Sequence, residues 1–228
     1  MPSKRRLYLV ELFGGSKSVS RAVQRRFGST FEMRVCSVDI DASSKPSVTA
    51  DIASWDYKRC LAEFLQNRRE SDPLFVWQSP PCTPFSRANT TGVRDLEGGK
   101  RNVLAGLEIT RWLRPDSFFL ENPVGLLMEM PWMQRYQRLL NVCSYCRYGK
   151  PYRKNTCIWS DVNLDLKTCS GKTLCANKAA LGYHPVTAQS GSTARSLGSG
   201  GGRNVYPIPS KLVAHLFARA IEHADAAR

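Results

Sequence analysis

Residues 7–16 read LYLVELFGGS, an apolar run that ends in two glycines and a serine. Apolar residues then recur at helical spacing between Val19 and Phe27, so the segment predicts a buried strand, a tight glycine turn and a helix. A turn of this kind is weak evidence for a ligand on its own, because many such turns are purely structural. Gly14 and Gly15 nevertheless allow the backbone to approach a bound molecule closely.

The alternation of strands and helices continues to the end of the chain. Residues 85–101 interrupt it, since they are rich in Arg, Thr, Asn and Gly without periodicity and predict a mobile surface loop. The whole pattern is typical of an α/β fold with a mostly parallel, Rossmann-like sheet and helices on both faces. Further strands are predicted at 33–38, 48–52, 74–77, 117–120, 141–148 and 156–159, and further helices at 57–65, 102–113 and from 209 or 210 onward.

The length of the chain predicts one principal core. Its 228 residues suffice for one sizeable core with a small appendage. We assign residues 1–160 to this core and residues 161–203 to a small irregular insertion rich in Ser, Gly, Thr and Lys, with Ser–Gly runs at 190–192 and 198–202. Residues 204–228 are predicted to form a helix that packs back on the core.

The charge of the chain favours a polyanionic partner. Thirty-three Lys and Arg face nineteen Asp and Glu, which gives a formal net charge of +14. A charge of this sign steers a protein toward nucleic acid, although a basic surface that only aids solubility has the same composition. Arg87, Arg94, Lys100 and Arg101 form a basic stretch that is a candidate for backbone contacts to nucleic acid.

The sequence also predicts an intracellular protein with reduced thiols. It contains no run of about 18 apolar residues, and its first six residues lack an apolar signal core. Eight cysteines at irregular spacings do not form the dense framework of a small secreted protein. A reduced cysteine can act as a nucleophile or as a metal ligand. We expect a monomer, in the nucleus of a eukaryotic host or otherwise in the cytoplasm, with a virus-encoded origin also compatible.

The segment around Cys82 is the most informative part of the sequence. Residues 78–86 read QSPPCTPFS and follow the apolar strand at 74–77. Three prolines within five residues restrict the backbone around one thiol, which fixes its position. An isolated cysteine is usually a small buried hydrophobe, but packing alone does not require a proline-rich polar loop. Cys82 is therefore our candidate nucleophile.

Acidic residues follow several of the predicted strands. Asp39, Asp51 and Glu121 each lie at or near a strand end. Ligands of open α/β sheets bind outside the carboxyl ends of the strands, so we expect these side chains and Cys82 to lie around one site. A carboxylate after a strand can also be a solvated group or a helix cap, and the sequence leaves both interpretations open for Asp51.

In motif order, the sequence resembles the DNA cytosine-5 methyltransferase family over nearly its whole length. Pro81-Cys82 is similar to the nucleophile motif of that family, and Glu121-Asn122 is similar to its acid motif. The family resemblance implies the fold of an S-adenosylmethionine-dependent methyltransferase. The matching segments are ELFGGS at 11–16, VDID at 38–41, ADI at 50–52, QSPPCTPFS at 78–86, FFLENP at 118–123, YGKPYRKNTCIW at 148–159 and YPIPSKL at 206–212.

The resemblance implies a covalent mechanism, because carbon 5 of cytosine is a poor nucleophile. The thiolate of Cys82 would add to ring carbon 6, which makes carbon 5 enamine-like and able to accept a methyl group. Glu121 would assist near ring nitrogen 3 in its protonated form. The base that removes the proton from carbon 5 cannot be assigned from the sequence.

The resemblance also implies which residues bind S-adenosylmethionine. Asp39 would contact the ribose, and Asp51 with Ile52 the adenine, while the glycine turn would lie beside the methionine part. The expected cofactor-binding residues are Phe13, Gly15, Asp39, Asp51, Ile52 and Pro80.

Two positions depart from the family pattern. The first motif usually continues with a glycine where this chain has Lys17, and a later arginine is replaced by Thr156. We therefore assign a catalytic role at the base to Arg153, with Lys154 as the alternative. These departures leave three functions open: a DNA methyltransferase, an RNA cytosine-5 methyltransferase of the type that acts on transfer RNA, and a catalytically silent nucleic-acid-binding relative. A Rossmann dehydrogenase is a poor fit, because the turn lacks Gly-x-Gly-x-x-Gly.

Five residues raise the separate question of a metal. Zinc prefers thiolate and imidazole ligands, but the cysteine pairs lie far apart and the second spacing is irregular. We therefore assign no metal ligand from the sequence and leave free thiols as the alternative. The residues concerned are Cys143, Cys146, Cys169, Cys175 and His184.

Overall fold

The computed structural model describes residues 4–89, 92–186 and 207–228. Their strands form one seven-stranded sheet in the order β3-β2-β1-β4-β5-β7-β6, in which only the pairings of β7 are antiparallel. This confirms the mostly parallel α/β fold. The strands are β1 (Arg6–Leu12), β2 (Glu32–Asp39), β3 (Val48–Thr49), β4 (Leu74–Gln78), β5 (Ser117–Pro123), β6 (Leu140–Ser144) and β7 (Asn155–Trp159). The helices are α1 (Ser18–Phe27), α2 (Tyr57–Leu65), α3 (Leu96–Leu113), α4 (Ala176–Leu181) and α5 (Ser210–Ala226).

The central strands are apolar on both faces because each face is covered by helices. In β1, Leu7 and Leu9 pack in one apolar cluster and Val10 packs in another. The first cluster includes residues of α1 and α5, and the second includes residues of α2 and α3. On the α5 side, the ring of Phe217 lies 5.6 Å from that of Phe75. Helix α5 therefore packs on this face of the sheet.

The reversed strand β7 brings a new segment to the carboxyl edge of the sheet. Thr156 pairs with Pro123 near the end of β5, so β7 begins where β5 ends. Residues 153 and 154, which immediately precede β7, thus lie at the same edge as the carboxyl ends of the parallel strands. Strand β6 ends at this edge too, and a 3-10 turn, Tyr145–Tyr148, follows it.

Helix α3 begins earlier than predicted, so the expectation of a loop through residue 101 is wrong. Asp95 caps the helix by accepting a hydrogen bond from the backbone N–H of Gly98 at 2.8 Å. Gly99 lies so close to Pro84 and Phe85 that an added Cβ would come within 2.9 Å of each. Glycine in the first turn is poor for helix propensity, but here tertiary packing against the loop after Cys82 requires it.

Other boundaries differ by a few residues. Strand β5 continues through Glu121 to Pro123, and β3 is limited to two residues. Residues 161–186 contain α4 and one isolated bridge between Ser170 and Thr173. The division into 1–160, 161–203 and 204–228 stays a prediction, and the runs at 190–192 and 198–202 lie outside the described residues. Among the helices that the structure describes, none is long and apolar enough to cross a membrane.

Candidate active site

The loop that carries Cys82 is fixed from both sides. The side-chain amide of Asn122, at the end of β5, donates a hydrogen bond to the carbonyl of Pro80 at 3.0 Å. On the other side, the backbone N–H of Phe85 donates to the carbonyl of Cys82 at 3.0 Å, and the Phe85 ring is buried. The thiol thus sits on a short turn held by β5 and by the packing of Phe85. This supports the prediction that the proline-rich segment positions Cys82.

Glu121 is a buried carboxyl inside β5. Only 5% of the residue is exposed, and Tyr145 donates a hydrogen bond from its hydroxyl to Glu121 Oε1 at 2.9 Å. Burial raises the pKa of Glu121, while the positive charge of Lys154 acts in the opposite direction. The ammonium of Lys154 lies 5.1 Å from the centre of the Tyr145 ring. Lysine, tyrosine and glutamate therefore form one polar group at this edge.

Cys82, Glu121 and Lys154 line the same cavity, which has a volume of about 310 Å³. Burial raises the pKa of the Cys82 thiol, Lys154 lowers it and Glu121 raises it. The same cavity is also lined by the glycine turn, including Gly14 and Gly15. The cavity therefore joins a nucleophile and a buried acid to the loop expected to bind a cofactor.

The structure separates Arg153 from Lys154. Arg153 is exposed and does not line the cavity around Cys82, whereas Lys154 does. The positive charge of Arg153 instead acts on His184. Burial lowers the pKa of His184, and the charge of Arg153 lowers it further. Thr156 is fully buried in β7 and helps to lower the pKa of Glu121. The geometry thus favours Lys154 over Arg153 as the cation at the candidate site.

The glycine turn explains why the family pattern has a glycine where this chain has Lys17. Phe13, Gly15 and Lys17 all have positive φ, at 57°, 43° and 53°. The left-handed conformation is easy for glycine and costs other residues roughly 1 kcal/mol. Lys17 keeps the same turn, since its N–H donates to the carbonyl of Gly14 at 2.7 Å. Lys17 therefore adopts the left-handed conformation that glycine takes most easily.

Asp39 organises this turn from the end of β2. Its Oδ2 accepts a hydrogen bond from the N–H of Gly15 at 2.7 Å, and its Oδ1 accepts one from the N–H of Asp41 at 2.8 Å. Each carboxylate oxygen has a further lone pair, so Asp39 can also accept from a ligand hydroxyl. Its position at the end of β2 agrees with that expected for a ribose contact.

A second cavity, of about 210 Å³, adjoins the first. It is lined by Asp39, Asp51 and Ile52, and it shares Phe13, Ser79 and Pro81 with the cavity around Cys82. The Oδ1 of Asp51 accepts a hydrogen bond from the N–H of Ala53 at 3.0 Å, so this carboxylate also caps its own turn. Together the cavities reach the size of small-molecule sites, roughly 300–1,000 Å³. An elongated ligand with hydroxyl and amine groups fits their lining.

Of the expected cofactor-binding residues, Phe13, Gly15, Asp39, Asp51, Ile52 and Pro80 all line one of these cavities.

Three residues of the candidate site were not predicted. Ile40 lines the second cavity although 71% of it is exposed, an unusual position for a large apolar side chain. Glu11 lines the first cavity and is 2% exposed, and burial raises its pKa. Tyr145 was assigned to a strand without a role. An apolar residue between two aspartates was a usable signal for Ile40, whereas Tyr145 had none, because its partner Glu121 is distant in sequence.

The Rossmann-like fold of this chain is shared with solved structures of methyltransferases. The chain aligns with a methyltransferase of Entamoeba histolytica with a TM-score of 0.51 and 16% identity, over 75% of this chain and 57% of that one. DNMT2 of Spodoptera frugiperda, in a substituted form, aligns with a TM-score of 0.46 and 16% identity, over 72% of this chain and 54% of the other. The chain thus spans about half the length of these solved structures.

A viral relative identifies the family. A protein of Frog virus 3 (isolate Goorha), named a probable DNA (cytosine-5)-methyltransferase, is 31% identical over 182 residues, which cover 74% of this chain and 78% of the relative. The chain belongs to the DNA (cytosine-5)-methyltransferase family. No protein-family model matches the sequence. The resemblance found in the motifs is thereby confirmed.

Proposed function

We propose that the protein transfers a methyl group from S-adenosylmethionine to carbon 5 of cytosine in DNA through a covalent adduct with Cys82. The observation that carries this proposal is that Cys82, Glu121 and Lys154 line one cavity together with the glycine turn. A nucleophile, a buried acid and a cation at one pocket are the groups that addition to an electron-poor ring requires.

Cys82 acts first. Its thiolate adds to ring carbon 6, and the electron pair of the carbon 5–carbon 6 double bond moves toward carbon 5. Glu121 holds a proton at ring nitrogen 3, which neutralises the charge that would otherwise accumulate on the ring. After carbon 5 has been methylated, loss of its proton restores the double bond and expels Cys82 as thiolate.

Tyr145 and Lys154 support these steps through Glu121 and Cys82. The hydroxyl of Tyr145 orients the Glu121 carboxyl through its 2.9 Å hydrogen bond. Lys154 lowers the pKa of the Cys82 thiol and so increases the thiolate fraction at neutral pH. Tyr145 is therefore a positioning residue, whereas Lys154 lines the cavity together with Cys82.

S-adenosylmethionine, when bound, supplies an electrophilic methyl group. Asp39 would accept hydrogen bonds from the ribose hydroxyls, and Asp51 with Ile52 would lie beside the adenine. Ile40 would cover the adenine from the outside, which accounts for its exposed apolar side chain. Phe13, Gly15 and Pro80 would surround the methionine part.

DNA is the proposed partner, and the protein would act inside the cell as a monomer. A base must be extruded from a duplex to reach Cys82, at a cost of a few kcal/mol that contacts to the backbone offset. Not all of the predicted basic stretch is free for such contacts. The guanidinium of Arg94 donates to the carbonyls of Ser86 at 2.7 Å and Asn89 at 2.6 Å, so it holds the loop after Cys82 together. Arg87 pairs with Glu129.

Covalent trapping tests the proposal and chooses between DNA and RNA. The protein is incubated with labelled S-adenosylmethionine and with duplex DNA or folded RNA that contains 5-fluorocytosine. Fluorine replaces the proton that must leave, so the adduct is expected to persist on DNA and to resist denaturation. An adduct on RNA alone would overturn the proposal that DNA is the substrate. Cofactor binding with no adduct on either polymer would overturn the proposal that the protein is an enzyme. It would favour a catalytically silent nucleic-acid-binding module.

The two neighbouring cations provide a test of the site. Lys154→Met is expected to lower kcat/KM at pH 7 by about 10²-fold, the usual effect of removing one charge-stabilising group. Lys154 lowers the pKa values of both Cys82 and Glu121, so both rise when it is removed. The entire pH profile should therefore shift to higher pH, as measured by initial rates across the pH range.

Arg153→Met is the matched control, because Arg153 is adjacent in sequence but lies outside the cavity. It should keep the pH profile of the unmodified protein. A lower rate with a shifted profile for Arg153→Met, and an unchanged profile for Lys154→Met, would return the role to Arg153.

A further inference from the structure

Three cysteines and a histidine from separate parts of the chain converge outside the candidate active site. Cys146, Cys169, Cys175 and His184 each offer one ligand atom, and these four atoms all lie within 4.8 Å of one another. The Nε2 of His184 is 3.4 Å from the Sγ of Cys175 and 3.6 Å from the Sγ of Cys169. Cys143 is not part of this group and packs in the apolar core instead.

The distances match those of a tetrahedral zinc site. With Zn–S about 2.3 Å and Zn–N about 2.0–2.1 Å, a tetrahedral ion places sulfur and nitrogen about 3.5 Å apart and two sulfurs about 3.8 Å apart. The two measured sulfur–nitrogen distances lie on either side of that value. Cys₃His is moreover one of the usual ligand sets of structural zinc. We propose that Cys146, Cys169, Cys175 and His184 bind one zinc ion.

Packing alone does not account for this cluster. Its three cysteines are buried, and within the described part of the chain one apolar side chain, that of Leu174, packs against them. Eight free cysteines are present among the described residues, so no disulfide accounts for the convergence. A disulfide would in any case use two of the thiols and leave one thiol and the imidazole unexplained.

Backbone N–H groups are directed at two of the sulfurs. The N–H of Cys175 donates to the Sγ of Cys169 at 3.3 Å, and the N–H of Lys178 donates to the Sγ of Cys175 at 3.5 Å. Hydrogen bonds of this type stabilise negative charge on sulfur and orient it, as expected for the outer shell of a thiolate metal site. They provide evidence independent of the sulfur–nitrogen distances.

The zinc would connect the irregular segment to the edge of the sheet that carries the candidate active site. Cys146 directly follows Tyr145, which bonds to Glu121, whereas the other three ligands belong to residues 169–184. This segment has little regular structure, but the N–H of Cys169 donates to the hydroxyl of Ser144 at 2.9 Å at the end of β6. A metal cross-link supplies the stability that a small irregular segment lacks. The proposal is independent of the catalytic function.

Metal analysis of the full chain is the primary test. Protein purified in reducing buffer without chelator is expected to contain about one zinc per chain. Replacement by Co²⁺ should give the visible bands of a tetrahedral ion and thiolate-to-metal charge transfer. Removal of the metal should open residues 161–186 to limited proteolysis. Less than about a tenth of one zinc per chain, even after refolding with zinc, would overturn the proposal.

Matched variants separate loss of a ligand from loss of the fold. Cys169→Ala and His184→Ala should lower the zinc content at least about tenfold. His184→Cys should restore it, because Cys₄ is also a structural zinc set, and should strengthen the charge-transfer bands of the cobalt form. Cys143→Ala should retain the metal. Zinc content unchanged in Cys169→Ala and His184→Ala, or lost only in Cys143→Ala, would contradict the assignment.

Discussion

Replacement of Cys82 by serine is expected to lower methyl transfer by on the order of 10⁴- to 10⁶-fold, as found when a catalytic nucleophile is removed. A serine hydroxyl has nearly the same size as the thiol but is not ionised at neutral pH. The positive charge of Lys154 is too weak to ionise the hydroxyl. The covalent adduct cannot form, so carbon 5 stays unreactive. Incorporation of labelled methyl groups into DNA under single-turnover conditions measures the effect.

Cys60→Ser is the matched control for this variant. Cys60 lies in α2, away from the cavity, and is also a free, partly exposed cysteine. It should retain both activity and trapping by 5-fluorocytosine. Both variants should bind S-adenosylmethionine with unchanged affinity in titration calorimetry. Cys82→Ser with more than about a tenth of the normal rate would exclude the covalent mechanism.

The position of Cys82 was predictable because its signals are local. The apolar strand before it, the prolines around it and the polar residues after it are consecutive in sequence. Because parallel strands end at one edge, the presence of Glu121 and Asp39 near the same site also followed from the strand pattern alone. The β1 to α1 turn was predicted on the same basis.

Residues that depend on strand reversal were not predictable. Lys154 reaches the cavity because β7 runs antiparallel to β5, and nothing in residues 153–156 specifies that direction. Arg153 and Lys154 immediately precede β7, and the sequence of this short connection does not specify which of the two side chains lines the cavity around Cys82. Tyr145 reaches Glu121 because β6 ends at the same edge of the sheet, directly before Tyr145.

The zinc ligands illustrate a different limit. Cys143-x-x-Cys146 has the spacing of a metal-binding pair, yet only Cys146 belongs to the cluster. Cys143 lies within β6 and packs in the core, whereas Cys146 lies in the 3-10 turn that follows it. The spacing in sequence therefore pointed to Cys143 as a ligand beside Cys146, whereas the structure places Cys143 outside the cluster. The four ligands are identified only when residues 169–184 are seen to lie next to the end of β6 in the folded chain.

Replacement of Glu121 by glutamine is expected to separate activity from stability. Methyl transfer should fall by about 10²- to 10⁴-fold, because glutamine retains the shape and the acceptor for Tyr145 but holds no exchangeable acidic proton for ring nitrogen 3. Folding stability should increase at neutral pH. The two effects are measured by single-turnover methylation and by urea unfolding of the same preparations.

The sign of the stability effect follows from the raised pKa of Glu121. Burial moves the folded-state pKa above its ordinary value of 4.5, so the folded protein binds the proton more tightly than the unfolded chain. Above 4.5 the unfolded carboxyl ionises freely while the buried one resists, which lowers the free energy of unfolding as pH rises through that range. Glutamine lacks this cost, so the advantage of Glu121→Gln should disappear at acidic pH.

Glu63→Gln is the appropriate comparison, because Glu63 is an exposed carboxylate on α2. Its activity and its free energy of unfolding at neutral pH should both be unchanged. If Glu121→Gln lost activity and stability together at neutral pH, Glu121 would be a structural residue that holds Tyr145 and β7. Lower activity combined with higher stability instead identifies a buried acid that is retained for chemistry at the expense of the fold.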